Sequence, residues 1–238
     1  MKYTTVPENG MLRIIATRYI SRFLITTGEC GGLIEKESNL SQEGDCWIHS
    51  NARVYGDAQV HGNAQIHGKA RIFGNARVLD TARISGDARI SGKARVYENV
   101  QVTDKACVYG NAHVSGNASI FDRARVYGNA QVHDNVQVHG NARVYGNVQV
   151  LHRSVVTGDI ILNKSVLSVN RSDGWTFLVA PTKEGYAITA GCRHFTSFEA
   201  AREHWKHRQG TLLGEETDMI LNVLEQYAIN HVIQKQSQ

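Results

Sequence analysis

From Ile48 to Leu167 an aliphatic residue returns at every sixth position, and it is Val, Ile or Leu in all 20 hexads. Take that residue as position one. Position five is then small, with Ala in 14 of 20, and position three is Gly in 12 of 20. Position four is Asn or Asp in 13. Self-similarity at a fixed period marks a repeat architecture. Positions five, six, one and two form a short strand, as in Ala52, Arg53, Val54 and Tyr55. Strand side chains alternate between faces, so Ala52 and Val54 point inward while Arg53 and Tyr55 point outward. The Gly-Asp or Gly-Asn pair that follows tolerates positive φ and marks a corner. A four-residue strand and a two-residue corner, repeated 20 times, predict a parallel β-solenoid.

The flanks lack this pattern. Residues 12–17 and 23–27 read as strands, followed by a Gly-Gly turn at 31–32, and residues 1–47 form a β cap over one open end. Beyond the hexads of 48–167, residues 168–238 read as a small ββαα module. Residues 175–180 and 186–190 form a hairpin around Pro-Thr-Lys-Glu-Gly. Thr196 and Glu199 make a capping box for a helix to about Arg208, with Phe198, Ala201 and Trp205 on one face. A second helix runs from about Glu215 to Ile233 with Ile220, Leu224, Tyr227 and His231 on one stripe. Glu215 and Glu216 suit its N-terminus.

Composition sharpens this picture. The chain of 238 residues holds 22 Gly but 2 Pro, and neither Pro7 nor Pro181 lies among the hexads. Proline removes a ladder donor, so its absence fits stacked strands. No run of about 20 apolar residues exists, so no transmembrane helix is expected. The N-terminus lacks a signal-peptide layout, so a cytoplasmic protein is expected. Cys30, Cys46, Cys107 and Cys192 are far apart and read as free thiols. The net charge of +4 resolves into +6 on residues 48–167, with 14 basic and 8 acidic side chains, and −2 elsewhere.

The aliphatic residue with a small residue four places on resembles the hexapeptide-repeat proteins. That resemblance implies a left-handed parallel β-helix of triangular section with 18 residues per coil, hence about six and a half coils. At about 4.8 Å per rung the prism is about 30 Å long. Residues 31–47 leading into Asn-Ala-Arg-Val-Tyr-Gly resemble a YdcK-like group of bacterial and prophage proteins, often labelled putative transferases. The segment 190–205 resembles a small module of phage-encoded proteins. Neither resemblance carries a catalytic residue over to this chain.

With 18 residues per coil, the outward side chains sort into three walls. Two are mixed. The second reads Arg53 and Tyr55, Arg71 and Phe73, Arg89 and Ser91, Cys107 and Tyr109, Arg125 and Tyr127, Arg143 and Tyr145. Arg and Tyr are enriched in protein interfaces, so this wall suits a protein partner or a second copy of the chain. Arg also binds phosphates while aromatics stack bases, so a polyanion or nucleic acid is the competing ligand. The plain alternative is a solvated wall, since both residue types suit exposed strands.

For an enzyme, the resemblance implies an acyltransferase with a His base at a subunit boundary. The candidates are His49, His67 and His139, with His61 and His133 on another wall. All occupy position two, which also takes Tyr, Ser, Phe, Thr and Leu, so each reads as surface filler. The 20 hexads also run without the long loop that shapes the family's acceptor pocket. Cys192, His194, His204 and His207 are candidate zinc ligands, but their spacing is unusual and they read as structural. The expectation is therefore a mainly β, non-enzymatic protein of phage or prophage type. It would use no cofactor, bind a macromolecular partner through the Arg–aromatic wall, self-associate there and leave membranes alone. An acyl-CoA-dependent acyltransferase and a nucleic-acid-binding or host-defence-interfering protein are the alternatives.

Overall fold

A computed structural model describes residues 1–49, 51–151, 154–158, 160–162, 167–182 and 185–230. The hexads wind a parallel solenoid of about seven turns with three walls. Register between rungs is 18 residues throughout, as in Arg53 opposite Arg71 and Val54 opposite Ile72. One wall has seven strands, from Trp47–Ile48 to Val155–Val156; another has six, from Gln59–Val60 to Gln149–Val150. The second wall, the one that carries Arg53, runs from Arg53–Val54 to Ile161–Leu162 and is extended to ten strands by N-terminal segments. Each rung donates from positions six and two to the next coil. Arg53 N–H reaches Ala70 O and Tyr55 N–H reaches Ile72 O, both at 3.0 Å. All 14 position-five alanines are fully buried, as are nearly all position-one residues. The inside is thus a dry column of Val, Ile and Ala.

The corners show why glycine recurs. Position three has positive φ, +65° at Gly56 and +70° at Gly110, and position four donates across the corner, as Asn75 N–H does to Gly92 O at 2.7 Å. Among the described residues, position three is acidic wherever it is not glycine. Asp80, Glu98, Asp104, Asp122 and Asp134 all adopt φ between +57° and +60°. These side chains close a bond that glycine cannot. Asp80 accepts from Glu98 N–H at 3.0 Å, Asp104 from Asp122 N–H at 3.2 Å and Asp122 from Gly140 N–H at 3.0 Å. Glu98 accepts likewise from Gly116 N–H.

The N-terminal segment differs in part from expectation. Met11–Ala16 is a strand, paired in a hairpin with Tyr3–Glu8, which periodicity did not mark. Residues 23–27 form no strand. A 3-10 turn at Ser21–Phe23 and Leu24 at φ +56° reverse the chain so that Ile20 and Ile25 both enter the core. Gly31 and Gly32 are not a turn but the middle of strand Cys30–Ile34. They are glycine because a Cβ at Gly31 would lie 2.5 Å from Ile14 Cγ1 and 2.6 Å from Ile48 O. Leu33, Ile34 and Leu40 already pair in parallel with Arg53, Val54 and Val60, so part of a coil precedes the first hexad.

At the other end, Thr176–Thr182 and Gly185–Ala190 form the expected antiparallel pair. Leu167–Asn170 and Arg193–Phe195 flank it, completing a four-stranded sheet. Thr176–Thr182 is apolar on both faces because both are covered. Leu178 and Ala180 pack into the solenoid core, while Phe177 and Val179 face two helices, α1 (Phe198–Trp205) and α2 (Leu212–Ala228). The cap of α1 is Ser197, not Thr196; its side chain accepts from Ala200 N–H at 3.1 Å. Thr211 caps α2, so that helix begins before Glu215. Ile220 and Leu224 are buried and Tyr227 is half-buried, while His231 and the expected helix end at Ile233 lie outside the described residues. No helix among the described residues is long and apolar enough to cross a membrane.

Candidate partner-binding wall

The sheet that starts at Arg53 carries all ten residues singled out for the second wall. Parallel register places Arg53, Arg71 and Arg89 on successive rungs, then Cys107, then Arg125 and Arg143. All five arginines are exposed. None has an ion-pair partner among the described residues, and the described cation–π contacts involve Arg22, Arg171 and Arg202 instead. Neighbouring guanidinium groups therefore share one face, and no ion pair among the described residues neutralises them.

Beside them the rings stack in two runs. Tyr55 lies over Phe73 at 5.1 Å, and Tyr109, Tyr127 and Tyr145 follow one another at 4.7 Å, nearly parallel. Ser91 separates the runs. Stacking half-buries each ring, and burial raises the pKa of the Tyr109 and Tyr127 phenols. Tyr109 and Tyr127 are thus neutral, with amphipathic edges facing outward. At the N-terminal end the turn of the first hairpin leans over the wall. Gly10, Met11 and Glu35 enclose a groove of about 370 Å³ with Arg53, Tyr55 and Arg71. Residues before the first hexad supply half of that groove, so the hexad pattern alone could not reveal it.

The candidate bases are scattered. His49 and His67 stack on the first wall at 3.8 Å. Burial, then the neighbouring His67, pushes the His49 pKa down to about 4, and burial followed by Arg83 lowers that of His67. His139 lies four coils further on, stacked on Phe121 at 4.6 Å and bonded to Thr157 Oγ1 at 3.0 Å. His61 and His133 are likewise four coils apart on the third wall, and His133 is bonded to Ser115 at 2.7 Å. In the C-terminal module Cys192, His194 and His207 are exposed, and His204 packs its ring against Phe195 and Trp205. Among the described residues, no group of three or more His, Cys, Asp or Glu side chains is placed to hold a metal ion.

The fold and its walls define a parallel β-solenoid repeat protein. The repeat type follows from its sequence: a family model of the YdcK beta solenoid repeat matches residues 82–98 and 118–134. The chain is a β-helix repeat protein of the YdcK type. No curated protein matches it.

Proposed function

We propose that the protein is a non-enzymatic scaffold, an accessory protein of phage or prophage type. In this reading it docks a macromolecular partner, and further copies of itself, on the second wall. The observation that carries the reading is the set of five arginines without ion-pair partners among the described residues, beside two stacked aromatic runs on one flat sheet. Arginine and tyrosine supply most hot spots of protein interfaces, because both bury large area and keep a polar tip. A stacked sheet holds them at fixed spacing, so little side-chain freedom is lost on docking. Against the acyltransferase reading stand the separation of its histidines and the unbroken run of hexads.

The test is the triple charge reversal Arg71→Glu, Arg125→Glu and Arg143→Glu, with the circular dichroism spectrum as the control for folding. Light scattering should find the parent protein self-associated and the variant monomeric. Equal masses for both, with equal capture of partner proteins from a bacterial lysate, would refute the proposal. Binding to DNA that weakens steeply with salt and vanishes in the variant would assign the wall to polyanions instead.

A further inference from the structure

The C-terminal module holds a cavity of about 180 Å³ that the wall does not involve. Its floor is Phe177 and Trp205, both buried, and Trp175 closes one side. Gly191 makes that arrangement possible: it has φ +58°, and a Cβ there would overlap the Trp175 ring. Three guanidinium groups line the same space. Arg171 is buried and spoken for. It binds Asp173 through two nitrogens and Thr217 through the third, and it lies 5.3 Å from the Phe177 ring centroid. Arg193 and Arg208 are different, because neither has an ion-pair partner among the described residues. Among the described residues, no carboxylate lines the cavity. The His204 imidazole, on the same lining, has its pKa lowered by burial first and then by Arg193, His207 and Arg208, which fits a positive field there.

We propose that this cavity binds a small organic anion. Its flat apolar ring would lie against Trp175 and Trp205, with a phosphate or carboxylate head held by Arg193 and Arg208. Size supports one ring: a cavity of about 150 Å³ holds a benzene molecule, so the head must sit towards the mouth. Guanidinium groups suit either head because their paired donors match both oxyanions.

Trp205 and Trp175 report binding directly. The full-length protein is titrated with phenyl phosphate and with benzoate while tryptophan fluorescence is followed; inorganic phosphate and benzyl alcohol serve as the two halves of the ligand. At least one aryl anion should quench saturably and bind at least about tenfold tighter than either half. Preference for phenyl phosphate assigns a phosphate ligand, and preference for benzoate a carboxylate. Arg193→Gln with Arg208→Gln should weaken binding by about tenfold or more while leaving the thermal midpoint unchanged. In the unmutated protein the bound anion should slow alkylation of Cys192, mapped by mass spectrometry, but not that of Cys30. Absence of saturable quenching by both aryl anions, unaltered binding in the double variant, or no protection of Cys192 would overturn the proposal.

Discussion

Substitutions at Gly92 separate two explanations of the corner. Gly92 has φ +67°, and a Cβ on it would lie 2.9 Å from Gly110 N and O in the next coil. If glycine were needed only for lack of a side chain, Asp should be worse than Ala, being larger. The acidic corners argue the opposite. Asp80, Asp104 and Asp122 occupy the equivalent position with the same hand of φ, and each accepts from the backbone N–H one coil ahead. An alanine in the left-handed region costs about 1–2 kcal/mol, whereas Asp is strained less there because its short side chain bonds locally. The bond to Gly110 N–H replaces one to water and adds about 1 kcal/mol. Gly92→Asp should therefore be more stable than Gly92→Ala by about 1.5 kcal/mol or more. Urea unfolding followed by circular dichroism measures the order. Gly10→Ala is the control, since Gly10 has φ +75° but nothing within 4 Å of its Cβ, so it isolates the conformational term. Gly92→Ala equal to or more stable than Gly92→Asp would refute the reasoning.

Three further perturbations probe other parts of the chain. The depressed His49 and His67 pKa values mean that the unfolded chain takes up protons first. Stability should be full above the unfolded value near 6.5 and fall as pH drops towards about 4, and thermal melts of His49→Gln across that window should show a shallower loss. Gly31→Ala should destabilise by about 1–3 kcal/mol through overpacking against Ile14 and the Ile48 carbonyl, read as a lower urea midpoint. Asn117→Ala removes two side-chain links, from Asn99 and to Asn135, each 3.2 Å and exposed. Its cost should stay near about 1 kcal/mol by denaturant titration, because water replaces both partners.

The walls were readable because only one face of each rung carries folding information. Position one must be aliphatic and position five small, and a period of six with three walls then assigns every outward residue. The parts that resisted reading depend on contacts rather than on period. Gly31 and Gly32 looked like a turn because glycine usually punctuates one, yet here it admits Ile14 and Ile48 against the backbone. Acidic residues at position three break the glycine pattern, and only the fold shows that the same backbone donor lies in reach of each described corner acid whose next coil is also described. Leu167–Asn170 and Arg193–Phe195 are too short to show alternation and exist as strands because the central hairpin offers two free edges. The C-terminal cavity joins Arg171 and Trp175 to Trp205 and Arg208, and no local pattern links those segments.

Equivalence among the walls turns the second one into an argument about function. Position six is exposed or half-exposed on every described rung except those of the buried Trp47 and Val155, and no backbone requirement of the coil distinguishes one wall from another. Over six rungs, Arg fills that position five times on the second wall, at Arg53, Arg71, Arg89, Arg125 and Arg143. It does so once on the first, at Arg83, and twice on the third, at Arg77 and Arg95. Gln does the same structural work on the other two walls, at Gln65, Gln101 and Gln137 and at Gln59, Gln131 and Gln149. Packing successive arginines about 4.8 Å apart in register adds like-charge repulsion that Gln avoids. A stability requirement would therefore favour Gln on all three walls. The concentration of arginine on one of them works against the coil's own stability, and a ligand supplying negative or π-rich surface is what would offset it. Replacing all five arginines by Gln should consequently raise the urea midpoint of the isolated protein while abolishing its association. A lower midpoint would show that the arginines serve the coil itself, and the interface argument would fall.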